Sequence, residues 1–138
     1  MPEVPELRSK TVDSEKITIN LGFVDLGQVD LLVHEGFYSN RTDFIRTAIR
    51  AQLERQSEPV RQSVARHRLE LGLRRFTRAD LESVKRAGET LSIQVLGLAS
   101  IADDVSPELA RQTISSIRVL GALQISPMLR AALSDRIR

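Results

Sequence analysis

Residues 16–53 read KITINLGFVDLGQVDLLVHEGFYSNRTDFIRTAIRAQL, and the apolar period changes twice along them. From Glu15 to Leu21 it is two. Ile17, Ile19 and Leu21 fall on one face, Lys16, Thr18 and Asn20 on the other. With β-branched residues at 17, 18 and 19, this predicts one half-buried strand that Gly22 ends. The period then becomes helical. Leu26, Val29, Leu32 and Val33 predict a helix from about Leu26 to Glu35, with Asp25 as its N-cap and Gly36 as the left-handed residue that stops it. A second helix follows, capped by Asn40. Asp43 three residues on resembles a capping box, with Asp in place of the usual Glu or Gln. Phe44, Ile45, Ala48, Ile49 and Leu53 form its apolar stripe. It should fade near 56–58, because Pro59 disfavours helix just before it.

A lone strand leaves its backbone groups without partners, and residues 1–60 offer no second one. The simplest remedy is a second copy of the chain. Two strands then pair antiparallel about a twofold axis, and four helices bury the apolar face. In that arrangement residues 16–53 resemble the ribbon-helix-helix repressors of the MetJ, Arc and CopG kind. The short alternating strand, the Gly36 turn and the run Asn40-Arg41-Thr42-Asp43-Phe44-Ile45-Arg46 carry the resemblance. Family members commonly show a Ser-Arg-Ser-Glu-like run there, followed by Ile-Arg; Asn40 stands for the first Ser, a conservative exchange at an N-cap.

Residues 57–138 lie beyond that minimal domain. Pro59 to Arg68 suits a helix with Val60 and Val64 apolar. A weak repeat of 24 residues then relates Leu69-Glu70-Leu71, Ile93-Gln94-Val95 and Ile117-Arg118-Val119. Its last two copies, IQVLGLASI and IRVLGALQI, match best. Each copy precedes a helix start: Thr77-Arg78-Ala79-Asp80, Ser106-Pro107-Glu108 and Ser126-Pro127. Helices are predicted near Ala79–Ala87, Pro107–Thr113 and Pro127–Ile137. The period lies in the range of strand-helix solenoids. Three β-α units with parallel strand pairing should result.

The fold class is therefore α+β. Residues 1–14, with two Pro and no apolar period, form a flexible arm. Residues 15–56 form a ribbon-helix-helix domain for DNA binding and dimerisation. Residues 57–68 are a linker or helix, and 69–138 a β-α repeat domain for assembly or effector sensing.

The 138 residues are 41% hydrophobic, 28% charged and 4% aromatic, which is globular composition with an aliphatic core. There is no Cys and only two His, so disulfides, thiolate chemistry and His-rich metal sites are ruled out. No apolar run approaches a membrane span, and MPEVPELRSK lacks a signal-peptide core. A cytoplasmic, nucleoid-associated bacterial protein is expected. GxGxxG, GxxxxGK and GxSxG are all missing, and His34 beside Val33 reads as a boundary residue. Neither catalysis nor a cofactor is expected.

The resemblance assigns base contacts in the major groove to Lys16, Thr18 and Asn20. Lys reaches guanine acceptors there and Asn pairs with adenine. Taken alone, the same three residues fit an ordinary solvent-exposed strand face. Asn40, Arg41 and Thr42 inherit the phosphate contact, where helix N–H groups and the dipole favour an anion. Ile17, Ile19, Leu21, Phe44, Ile45 and Ile49 become the dimer core.

Charge tells partly against DNA. The chain carries +2 in all, yet residues 15–56 carry −1 and residues 57–91 carry +3. Acidic residues on the far side of a fold are screened beyond roughly 8–10 Å. Asp25, Asp30 and Glu35 on the first helix are read as facing away. The cluster Arg61, Arg66, His67, Arg68, Arg74, Arg75 and Arg78 reads first as a solvated basic face and second as an extra polyanion contact. The acidic pair Asp103-Asp104 reads as a loop.

The resulting function is a sequence-specific, homodimeric transcriptional repressor of double-stranded DNA. One alternative is a scaffold protein that self-assembles into higher-order oligomers through open edges of its C-terminal sheet. Another is the antitoxin of a toxin–antitoxin pair, although residues 92–138 are too apolar and too well capped for a disordered antitoxin tail.

Overall fold

A computed structural model describes residues 14–138. The expected arm, residues 1–14, lies outside them but for Ser14. The chain divides into two compact units, Met1–Glu58 and Pro59–Arg138.

In the first unit, α1 spans Phe23–His34 and α2 spans Arg41–Arg55. Helix α1 begins three residues earlier than expected. Gly22 is its N-cap, and Asp25 lies in the first turn, where its charge favours the dipole. The apolar stripe conceals this start, because Phe23 and Val24 project into solvent and never join it. Gly36 stops the helix at φ 90. Helix α2 ends where expected, but α3 (Ser57–His67) starts immediately, so Pro59 lies inside a helix. It sits in the first turn, whose N–H groups have no intrahelical acceptor.

The second unit carries β1 (Glu70–Phe76), α4 (Arg78–Arg86), β2 (Leu91–Ile101), α5 (Pro107–Thr113), β3 (Ile114–Gln124) and α6 (Pro127–Ala132). The three strands form a parallel sheet in the order β1-β2-β3. The Thr77–Asp80 capping box and the Ser106 and Ser126 caps form as the sequence predicts.

Three expectations need correction. Residues 15–21, expected as a strand, form none in the single chain, since no described segment pairs with them. Helix α6 stops at Ala132, because the chain turns back to lay Ile137 beside Ile117 as a short parallel bridge. The first repeat is also shifted. Val95 pairs with Val119 at the expected 24 residues, but Glu70 pairs with Val95, a spacing of 25. Because side chains alternate, that single step exchanges the faces of β1. Leu71 is therefore exposed, and Phe76 takes the core position.

Glycine explains the shift. Gly72, Gly97 and Gly121 stand side by side in the register. A Cβ on Gly97 would lie 2.1 Å from the Gly72 carbonyl oxygen, and one on Gly121 equally close to that of Gly97. Their φ values of 140 and 121 are open to glycine alone at low cost. The shared backbone path, more than the flanking leucines, sets the register.

The core lies on one side of the sheet. Ile93, Val95, Ala99, Ile101 and Ile117 pack with Leu81 of α4, Leu109 and Ala110 of α5, and Leu129 and Leu133 at the chain's end.

Candidate nucleic-acid interface

The segment before α1 takes no strand partner from its own chain among the described residues. Lys16, Thr18 and Asn20 are exposed, and so is the opposite face. Ile17 is 72% exposed, Ile19 56% and Leu21 42%. Burying an Ile side chain stabilises by about 1.5–3 kcal/mol, and three large apolar residues left in water forgo that gain within one chain. Phe44 and Ile45 of α2 are half-buried, and Ile49 is exposed. Val29 is the single buried residue among the described residues of this unit. The six proposed dimer-core residues are thus all short of burial within one chain.

The start of α2 is built from its own residues. The Asn40 side chain accepts a hydrogen bond from the Asp43 amide at 2.8 Å, as the sequence predicts. The reciprocal half of the box differs. The Asp43 carboxylate turns to Ser39, accepting from its amide at 2.9 Å and its hydroxyl at 3.0 Å. Those bonds hold the Asp43 carboxyl below the usual carboxylate range, the backbone bond contributing most. Tyr38 and Phe44 meet edge to face with centroids 5.0 Å apart, fastening the preceding turn to the helix. Arg41 and Thr42 are exposed in the first turn, whose amides no intrahelical carbonyl can reach.

Arg41 has a partner that the sequence reading missed. Its Nε donates to Asp30 Oδ1 at 2.8 Å and its terminal nitrogen to Oδ2 at 2.9 Å. The fork ties α2 to α1. It lowers the Asp30 pKa, chiefly through the hydrogen bonds, and raises that of Arg41. Asp30 therefore faces the start of α2, contrary to the expectation that it points away. Both side chains are about half exposed, at 56% and 48%, so the pair adds little stability and mainly sets geometry. Eleven residues and a glycine turn separate them, and no helical periodicity links positions across such a corner.

Parts of the basic cluster are also engaged. Arg74 pairs with Glu70 and lies over the Phe76 ring at 4.9 Å, Arg78 pairs with Glu82, and Arg66 bonds Ser63. A solvated basic face, internally paired, describes these residues. His34 is exposed in the last turn of α1, and Asp103 and Asp104 are exposed in a turn. No group of metal-ligating side chains occurs among the described residues, and no described helix is long and apolar enough to cross a membrane.

A family model described as the Ribbon-Helix-Helix transcriptional regulator family matches residues 12–130. The match covers the unpaired segment, both helices of the first unit and most of the parallel sheet unit. No curated protein and no solved structure matches the chain.

Proposed function

Since the chain belongs to the ribbon-helix-helix transcriptional regulator family, a family of DNA-binding regulators, we propose that it acts as a homodimeric repressor reading an operator with a two-stranded ribbon. Residues 15–21 of two copies pair antiparallel. Lys16, Thr18 and Asn20 enter the major groove and select bases. Ile17, Ile19 and Leu21 turn inward onto Phe44, Ile45 and Ile49 of both chains. The amides of Arg41 and Thr42 take a backbone phosphate, with Asn40 holding the helix end open towards it.

One observation carries this reading: the apolar face at Ile17, Ile19 and Leu21 stands in solvent although its alternation is that of a buried strand. A second copy covers it and completes the ribbon in one step. The Asp30–Arg41 pair refines the phosphate site. Arg41 contributes as a strut that fixes the helix corner, and its charge is already partly compensated. Binding to arbitrary sequence should accordingly be modest and strongly salt-dependent. Residues 15–56 act as the DNA-binding and dimerisation part, and residues 69–138 as the assembly or effector part.

Selection of bound sequences from a random duplex pool tests the proposal. The expected result is enrichment of an inverted or tandem repeat, and occupancy of that site then blocks transcription in a reconstituted assay. A pool that emerges unenriched would end the sequence-specific reading.

A further inference from the structure

Within the second unit, the helices cover the parallel sheet on one side only. Helices α4, α5 and α6 all contribute to the core that packs on Ile93, Val95, Ala99 and Ile101. Parallel sheets are otherwise buried on both faces. The uncovered face carries two in-register rows, Leu71–Leu96–Leu120 and Leu73–Leu98–Ala122. None of the six is polar. Leu71 is 71% exposed, Leu73 77% and Leu120 49%. Polar residues bound the rows at both ends, Gln94 and Arg118 at one, Arg75, Ser100 and Gln124 at the other. An apolar centre with a polar rim is the anatomy of a protein interface.

Edge pairing is obstructed at one point of this sheet. At Ile117 of β3, the chain's own end already occupies the edge. The Ile117 amide donates to the Arg136 carbonyl, and the Arg138 amide to that of Ile117, both at 2.8 Å. Arg136 is locked there by bonds to the Arg111 and Ile114 carbonyls, and Asp135 by its pair with Arg111. A strand arriving at that edge must first displace this tail. The open face offers an apolar surface that neither edge provides.

We infer that the Leu71–Leu96–Leu120 and Leu73–Leu98–Ala122 face docks on the same face of a second copy of this chain, the copy held by the ribbon. The size of the patch selects that occupant. Six residues fall short of the roughly 800 Å² per partner typical of a stable free-standing interface. A partner arriving from solution is held weakly. A copy already joined through residues 15–21 arrives at an effective concentration on the order of millimolar, and a small apolar patch then suffices. The inference rests on the ribbon dimer proposed above, and it turns residues 69–138 from a filament-forming edge into a second clasp of one dimer.

The chain has no cysteine, so a single Leu98→Cys substitution in the full-length protein reports on the centre of the face. A short bis-maleimide should convert the protein to covalent dimer with a yield independent of protein concentration. Adding Leu73→Glu, at a position already exposed in one chain, should cut that yield at least tenfold. The light-scattering mass should stay dimeric and the circular dichroism unchanged. Leu120→Cys serves as a second reporter should Leu98→Cys disturb the sheet. A monomeric mass for the unsubstituted protein removes the ribbon and this inference together. A dimeric mass without cross-link, with a yield that rises with concentration, or with a yield indifferent to Leu73→Glu overturns the inference and leaves the ribbon standing.

Discussion

The two units of this chain answer the same demand, burial of apolar surface, in opposite ways. Pro59–Arg138 gathers fourteen buried residues into one cluster between a sheet and its helices. Met1–Glu58 buries Val29 alone among its described residues and leaves Ile17, Ile19, Phe23, Leu31, Phe37 and Leu53 more than half exposed. The hydrophobic fraction does not explain the contrast. Topology does. A strand that follows a helix can return to lie beside an earlier strand, so β-α units close a core within one chain. The segment before the two helices has no earlier strand to return to. Its alternating apolar face is therefore left in water, and the open leucine face of the second unit is a milder instance of the same condition.

Changes that break one unit and spare the other test this contrast. The largest effect is expected from Val95→Asp. Val95 is fully buried in the second unit, and an unpaired charge there should cost about 4 kcal/mol or more and unfold that unit. Hydrogen exchange should show residues 15–56 still protected; loss of protection in both units would mean that they share one folding transition.

Ile19→Ala probes the other unit. In a single chain Ile19 is 56% exposed, and truncating it would change stability by less than about 0.5 kcal/mol. In a ribbon core the cost is about 2–5 kcal/mol per site. Thermal unfolding at several concentrations separates the cases, since a dimer's midpoint rises with protein concentration and the substitution should lower it steeply. A midpoint insensitive to both concentration and Ile19→Ala would remove the second chain from the account.

Gly97→Ala should cost about 1–3 kcal/mol from its backbone angle, and more from the carbonyl oxygen 2.1 Å from the new Cβ. Gly22→Ala, at φ −64 with nothing within 4 Å, is the control and should cost less, only the loss of a favoured N-cap residue. Chemical denaturation of both variants checks the difference.

Asn20→Ala should leave the fold intact, since the side chain is exposed, and weaken operator binding by about 1–3 kcal/mol without changing affinity for random duplex. Equal loss on both DNAs would make Asn20 a phosphate contact instead.

The smallest effect concerns the helix corner. Arg41 depresses the pKa of Asp30, and Ser39 that of Asp43. A folded value below the unfolded one adds stability that is fully present above about pH 4 and is lost as pH falls through the folded value. Acid titration should therefore loosen the α1–α2 corner below about pH 4. Asp30→Asn should blunt the part of that response that comes from the pair, visible in the carboxyl titration followed by NMR.

Local chemistry was legible in the sequence by itself. The Asn40, Thr77, Ser106 and Ser126 caps and the Gly36 stop each depend on residues within four or five positions of one another. Backbone sterics and capping geometry act over that range, so the pattern contains the answer. The strand-helix order of the second unit was also legible, because the 24-residue repeat places each strand before a capped helix start. Only the tertiary structure decided the rest. The 25-residue spacing of β1 came from three glycines whose neighbouring backbones leave no room for a Cβ on Gly97 or Gly121, and no single segment records that closeness. The Asp30–Arg41 fork depends on the angle at which two helices leave a turn. The return of Ile137 to Ile117 shortened a helix whose start the sequence had placed correctly. The open leucine face emerged once the register was fixed, since one residue of slip decides which side of a strand meets the core and which meets water.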